Sequence, residues 1–162
     1  PQDIGADRIA NAVAAKQKYG EPVIIIDFGT ATTFDVIGVD GAYKGGAIAP
    51  GVNLSIEALH NAAAQLPAIT LERVDKAIGK STIEAMQSGL YWGYVFMIRG
   101  MLSKLSTELE QAEKLNIIAT GGLANLFLEE IPEIKSIDKN LKLDGLAIIY
   151  ETSKQKEDQR AK

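Results

Sequence analysis

Apolar residues set the rhythm of this chain, and their spacing changes along it. Val23-Ile24-Ile25-Ile26 is a continuous apolar run that stops at Asp27. Phe28-Gly29-Thr30-Ala31-Thr32-Thr33 follows, and the chain returns through Phe34, Val36 and Ile37 to Gly38. The pattern predicts strand, tight turn, strand. Ahead of it, Ile4 to Tyr19 reads as a helix, with Ile9, Ala12, Val13 and the stem of Lys16 at helical spacing and Gly20 as its stop. Asp40-Gly41 marks a turn into a third strand, Ala42 to Ala49, which Pro50-Gly51 ends. Asn53 to Gln65 reads as a helix with Leu54, Ala58, Leu59 and Ala62 on one face, and Pro67 breaks it.

Residues 66 to 80 read as a loop. From Ser81 or Thr82 to about Glu110 the spacing is helical almost throughout, with Gly89, Gly93 and Gly100 as places for a kink. Leu115 to Ala119 is a strand, Gly121-Gly122 opens a helix to about Glu130, and Ile134 to Ile137 is a short strand. Leu141 to Tyr150 is a last helix with Gly145 as its soft spot, and polar residues 153 to 162 read as a disordered tail. Three antiparallel strands followed by helices alternating with strands give a mixed α/β order. It suits a lobe of the ribonuclease H-like kind, a mixed sheet flanked by helices over residues 1–152.

Composition narrows the function. The chain has 162 residues, a net charge of −4 and no visible basic stripe, which argues against a nucleic-acid partner. With no cysteine, disulfides, thiolate metal sites and cysteine nucleophiles are ruled out together. That fits a reducing compartment, and a cytoplasmic location is expected. The longest apolar stretch, Leu90 to Leu102, is interrupted by Gly93, Arg99 and Gly100 and is too short to cross a bilayer.

The chemistry gathers at a few places. Gly29 lets backbone N–H groups approach a ligand, Thr30, Thr32 and Thr33 offer hydroxyls, and Asp27 stands where a buried strand opens and can hold a cation. An ordinary hairpin turn explains the same residues. In Gly5-Ala6-Asp7-Arg8, Asp7 suits a general base and Arg8 a carboxylate or phosphate clamp. Equally, Asp7 can simply favour the helix dipole. Gly79-Lys80-Ser81-Thr82 is not a Walker loop, because the pattern needs glycine where Val74 stands. Ser81 or Thr82 is a natural N-cap there, with a hydroxyl that can still face a ligand. Thr120-Gly121-Gly122-Leu123 links a strand to a helix, a turn that can cradle a nucleotide or merely allow close packing. His60, the only histidine, makes a zinc site or a Ser-His-Asp arrangement improbable. Tyr91, Trp92, Tyr94 and Phe96 cannot all be buried on one helix face, so core and subunit interface both stay open.

Taken together, Gly5-Ala6-Asp7-Arg8, Asp27-Phe28-Gly29-Thr30-Ala31-Thr32-Thr33, Gly45-Gly46-Ala47-Ile48-Ala49-Pro50-Gly51, Gly79-Lys80-Ser81-Thr82 and Ala119-Thr120-Gly121-Gly122-Leu123-Ala124 resemble type III pantothenate kinase in order and spacing. The resemblance spans about residues 4 to 152 and implies an actin-like fold and ATP-dependent phosphorylation of pantothenate, the first step towards coenzyme A. It implies Asp7 as proton acceptor, and Gly5, Ala6, Asp7, Arg8 and Thr82 as pantothenate contacts. It also implies Gly29, Thr30, Gly121 and Gly122 near ATP, Asp27 on a monovalent cation (potassium or ammonium), Mg2+ with the ATP, and a homodimer. Members of that family begin with a lobe carrying an Asp-x-Gly-Asn-Thr phosphate loop, which is not spelled here. The chain, which starts at Pro1, is therefore expected to be the C-terminal portion, with an N-terminal lobe as its partner, and to be inactive alone. A non-catalytic accessory or regulatory protein on the same scaffold, and a kinase for another small hydroxylated substrate, are the competing readings.

Overall fold

A computed structural model describes residues 4–62, 66–109 and 114–160. Helix α1 (Ala6–Tyr19) precedes strands β1 (Val23–Phe28), β2 (Ala31–Ile37) and β3 (Tyr43–Pro50). Helices α2 (Val52–Ala62) and α3 (Thr82–Glu108) follow, then β4 (Asn116–Thr120), the short α4 (Ala124–Phe127) with a 3-10 turn at Leu128–Glu130, β5 (Ser136–Ile137) and α5 (Leu141–Arg160). The sheet order is β3-β2-β1-β4-β5. β1, β2 and β3 form an antiparallel meander, while β4 lies parallel to β1 and β5 parallel to β4. The expected mixed sheet flanked by helices is what the chain forms.

β1 is buried along its whole length, because strands flank it and helices cover both faces. Its alternation divides the core. Ile24, Ile26 and Phe28 join Phe34 and Val36 in the larger cluster, with Tyr91, Tyr94, Val95 and Ile98 of α3 and Phe127 of α4. Val23 and Ile25 join Ile37 and Ile118 in the smaller cluster, under Ala12, Ala14 and Ala15 of α1 and Leu141 of α5. Asp27 shares the parity of Val23 and Ile25, so it falls at the end of the α1 face.

Several expectations shift in register or extent. In α1 the buried side is an alanine face, Ala10, Ala14 and Ala15, while Ile9 is exposed. Small residues win there because α1 must lie close to α5. In α2 the buried residues are Val52 and Ile56, whereas Leu54 is exposed, because the sheet meets the other side of the helix. Residues 63–65, the expected end of that helix, lie outside the described residues, as does Glu110. The helix after Gly121-Gly122 is only a single turn before the 3-10 segment. The expected disordered tail is helical through Arg160. Residues 152 to 160 contain no glycine or proline, and an established helix is propagated cheaply by such side chains.

Gly145 is a packing contact rather than a soft spot. A Cβ there would collide with the Ala10 carbonyl oxygen. Its hydrogen atom is what lets α5 cross α1 at backbone distance. At the C-terminal end of α1, Lys18 Nζ donates to Asp138 Oδ2 at 2.5 Å and to Asp144 Oδ2, in the first turn of α5, at 2.6 Å, and Tyr19 donates to Asp138 at 2.9 Å. Replacing Gly145 with valine should push the helices apart and lower the unfolding free energy by about 1–3 kcal/mol. Urea unfolding measures it, and an unchanged midpoint would contradict the close crossing.

Candidate functional site

The end of β1 that carries Asp27 faces the first turns of α1 and α5, and the site is built where they converge. Asn11 Nδ2 donates to Asp27 Oδ2 at 2.9 Å. Lys142, in the first turn of α5, donates from Nζ to Asp7 Oδ2 at 3.1 Å and stands 3.6 Å from Asp27 Oδ2. Asp7 and Asp27 thus share one ammonium, with Asp7 exposed and Asp27 buried. Burial pulls the Lys142 ammonium down, but the hydrogen bond it donates to Asp7 and the charge of Asp27 outweigh it and hold it above its ordinary value. A base candidate, a buried carboxylate and a fixed positive charge therefore occupy one spot.

Arg8 leaves α1 in another direction. Its Nε donates to Asp35 Oδ1 at 2.7 Å, beneath the Tyr43 side chain. Consecutive residues on a helix diverge by about 100°. Asp7 accordingly turns to α5 and Arg8 to the β2–β3 side.

Two glycine turns crowd the same end of the sheet. Gly121 has φ +93°, and a Cβ on it would lie 2.6 Å from the Phe28 carbonyl carbon and oxygen. The β4–α4 turn is therefore pressed onto the end of β1, directly before Gly29 and Thr30, both exposed. Gly51 presses on the Thr30 carbonyl from the β3–α2 side in the same way. Gly122 has open space around it. The exposed backbone of residues 29–30 and 121–122 is thus gathered beside Asp27.

Thr82 is the expected site residue that stands apart. It is exposed at the start of α3, where Ser81 Oγ caps the helix by accepting from the Glu84 N–H at 3.2 Å. Among the described residues, no hydrogen bond or ion pair joins it to Asp7, Arg8 or Asp27. Of the aromatic residues of α3, Tyr91 and Tyr94 are buried, Trp92 is half-buried and Phe96 is exposed. His60 bonds the Leu66 carbonyl oxygen. Among the described residues no group of three or more His, Cys, Asp or Glu comes together to hold a metal, and no helix is long and apolar enough to cross a membrane.

The sequence profile of type III pantothenate kinase matches residues 1–104. A protein of that name from Rhodospirillum rubrum is 55% identical over 150 residues, 93% of this chain and 58% of the relative. One from Exiguobacterium sibiricum is 51% identical over 154 residues, 95% of this chain and 60% of its own length. This chain belongs to the type III pantothenate kinase family.

It spans somewhat more than half the length of those relatives. Among solved structures it is similar to a Baf family protein from Campylobacter jejuni, at TM-score 0.67 and 21% identity over 95% of this chain and 67% of that one. It is also similar to the activator of 2-hydroxyisocaproyl-CoA dehydratase from Clostridium difficile with bound ADPNP, at TM-score 0.54 and 12% identity, covering 96% and 69%. The fold is of the actin-like kind that the family resemblance implied, and the element order had led to its mixed sheet flanked by helices.

Asn11, Asp35, Tyr43 and Lys142 are polar members of the site that single motifs do not reveal. Asn11 lies one helical turn from Asp7, which is a signal a helical wheel carries. Lys142 lies 135 residues away from Asp7 and has no local signal. If Lys142 and Asp27 interact as placed, a double-mutant cycle of Lys142→Met and Asp27→Asn should give a coupling of about 0.5–1 kcal/mol, modest because Lys142 is partly exposed. From neutral pH up to 10.5, the ordinary lysine value, the coupling should be full, and it should fade as pH rises through the raised pKa of Lys142. Additive single mutants at pH 7 would contradict the placement.

Proposed function

We propose that this chain is the substrate- and phosphate-binding portion of an enzyme that transfers the γ-phosphoryl group of ATP to the hydroxyl of pantothenate, opening coenzyme A synthesis. The observation that carries the reading is the Asp7–Lys142–Asp27 array beside the glycine turns at residues 29–30 and 121–122, in a chain of this family. Phosphoryl transfer asks for positioning and charge stabilisation more than covalent chemistry. The exposed Asp7 carboxylate receives the proton of the attacking hydroxyl. The hydroxyl oxygen bonds to the γ-phosphorus as the bond to the β-phosphate oxygen breaks, and ADP leaves. Gly5 and Ala6 bring backbone to the substrate, and Arg8 takes its carboxylate. Backbone at Gly29, Thr30, Gly121 and Gly122 lines the phosphates, and a neighbour of the same fold has ADPNP bound.

The donor set fits a monovalent cation. Asp27 gives Oδ2 to Asn11 and turns Oδ1 towards Gly29, where, among the described residues, it accepts no hydrogen bond. Potassium or ammonium bound there would neutralise phosphate charge, and Mg2+ would ride mainly on the phosphates with one or two carboxylates, as is usual for kinases. The exposed position of Thr82, apart from Asp7, supports a homodimer in which a second copy brings that hydroxyl, with Phe96 in the contact. An N-terminal lobe with the first phosphate loop would complete the nucleotide site, and a cytoplasmic setting suits such an enzyme.

Joining the segment of the Rhodospirillum rubrum relative that precedes the matched region to Pro1 should yield pantothenate-dependent ADP release, while residues 1–162 alone should not turn over. In that chimera Asp7→Asn should cut kcat by roughly 10²–10⁴ with thermal unfolding unmoved. Full activity of the variant would remove Asp7 from the reaction. The cation reading has its own test. Potassium should raise the melting temperature of the chimera above that in choline chloride, and Asp27→Asn should abolish the rise along with most activity. Equal melting in both salts would count against it.

A further inference from the structure

Asp35 is fully buried in β2 and takes no part in the chemistry above. A carboxylate in such a place is costly unless it is matched. Its partners are unusual in arrangement. Arg8 Nε and the Tyr43 hydroxyl both donate to the same oxygen, Oδ1, at 2.7 and 2.6 Å. Thr33 Oγ1 reaches the other oxygen at 3.4 Å. Arg8 is therefore gripped by its inner nitrogen, not by its fork. Among the described residues neither of its terminal nitrogens makes a hydrogen bond to protein.

Two further features flank the guanidinium. The Tyr43 ring lies 5.9 Å from its central carbon, within cation–π range. Gly46, opposite Asp35 in the β2–β3 register, packs against the Phe34 carbonyl, and a Cβ there would also lie 2.8 Å from Arg8 Nη2. Burial, and then the hydrogen bond it donates to Asp35, push the Tyr43 hydroxyl up to about 12, so it remains a donor across the working range. Asp7 and Arg8 diverge from one helix turn, which is the geometry for a substrate with a hydroxyl at one end and an anion at the other.

We propose that Asp35 and Tyr43 are positioning residues that lock Arg8 through Nε and leave its terminal nitrogens as a preset fork for the substrate carboxylate, making this network the determinant of preference for a carboxylate-bearing substrate. A planar guanidinium already fixed in orientation loses less freedom when it takes a carboxylate in two-point contact. The proposal rests on the reading of Arg8 as the substrate clamp.

Tyr43→Phe in the chimera keeps the ring and removes one hydrogen bond. It should raise KM for pantothenate roughly fivefold to twentyfold, with kcat and KM for ATP within about twofold. The ratio of kcat/KM for pantothenate to that for panthenol, which has an alcohol in place of the carboxylate, should fall by the same factor. Asp35→Asn keeps an acceptor for Nε and should show the same split more strongly. Equal losses on both substrates, or a change in melting temperature with no change in KM, would make the network a structural ion pair and overturn the proposal. A chimera that phosphorylates neither compound would instead defeat the kinase reading. In that case calorimetric titration of pantothenate into residues 1–162 decides the proposal. Binding weakened by Tyr43→Phe supports it, and no binding to the parent chain overturns it.

Discussion

Asp27 puts a carboxylate at the end of β1, a strand with neighbours on both edges and helices on both faces. A charge that deep has to be met by donors, and those donors sit on the elements that cover its face. Asn11 comes from α1 and Lys142 from α5. For both to reach it, the two helices must converge on this end of the strand, and the Gly145 crossing makes that approach possible. The packing of α1 on α5 and the polar array at their N-terminal turns are therefore one arrangement, held by apolar contact along the helices and by charge at their ends.

The sheet distributes the chemistry by parity. Alternation on β1 and β2 sends Ile24, Ile26, Phe34 and Val36 to the α3 face, and Asp27, Thr33 and Asp35 to the α1 face. The α3 face is free to be a large apolar core, which gives the lobe a stable platform. The α1 face is apolar only at the far end and polar where the two glycine turns lie. This division lets a small lobe bury Asp27 and Asp35 without placing either in the main core. Asp27 faces the ammonium of Lys142, and Asp35 faces the guanidinium of Arg8. Each charge has its own partner, and the partners come from the helices that a substrate would approach.

Glycine does the corresponding work for the backbone. Gly121 brings one turn against the last residue of β1 and Gly51 brings another against Gly29 and Thr30, each close enough that a methyl group would not fit. Phosphate recognition by backbone depends on such approach, because N–H groups must converge from more than one segment. The same absence of a side chain at Gly46 lets it pack against the Phe34 carbonyl beside Arg8. Glycine thus serves here to bring segments together more than to supply unusual dihedral angles.

The order of elements, the class of fold and the motif positions were legible in the sequence because they are local. A short β-branched run between Pro22 and Gly29 reads as a buried strand opening to a turn, and helical spacing marks α1 and α3 without reference to anything distant. Gly5-Ala6-Asp7-Arg8 and Gly121-Gly122 were likewise visible where they stand. What the tertiary structure decided is which side of each helix is inside and which residues meet. Ile9 and Leu54 looked like core but face outwards, since a helix with apolar residues on two sides buries the one its neighbour touches, and for α1 the close approach of α5 selects alanine over isoleucine. The helix beyond residue 152 arose from propagation of α5, which composition alone read as disorder. Lys142 and Asp35 carry no local mark of function. Their meaning comes from pairing with Asp7, Asp27 and Arg8 across long stretches of chain, and only the folded sheet and its covering helices bring those charges within reach of one another.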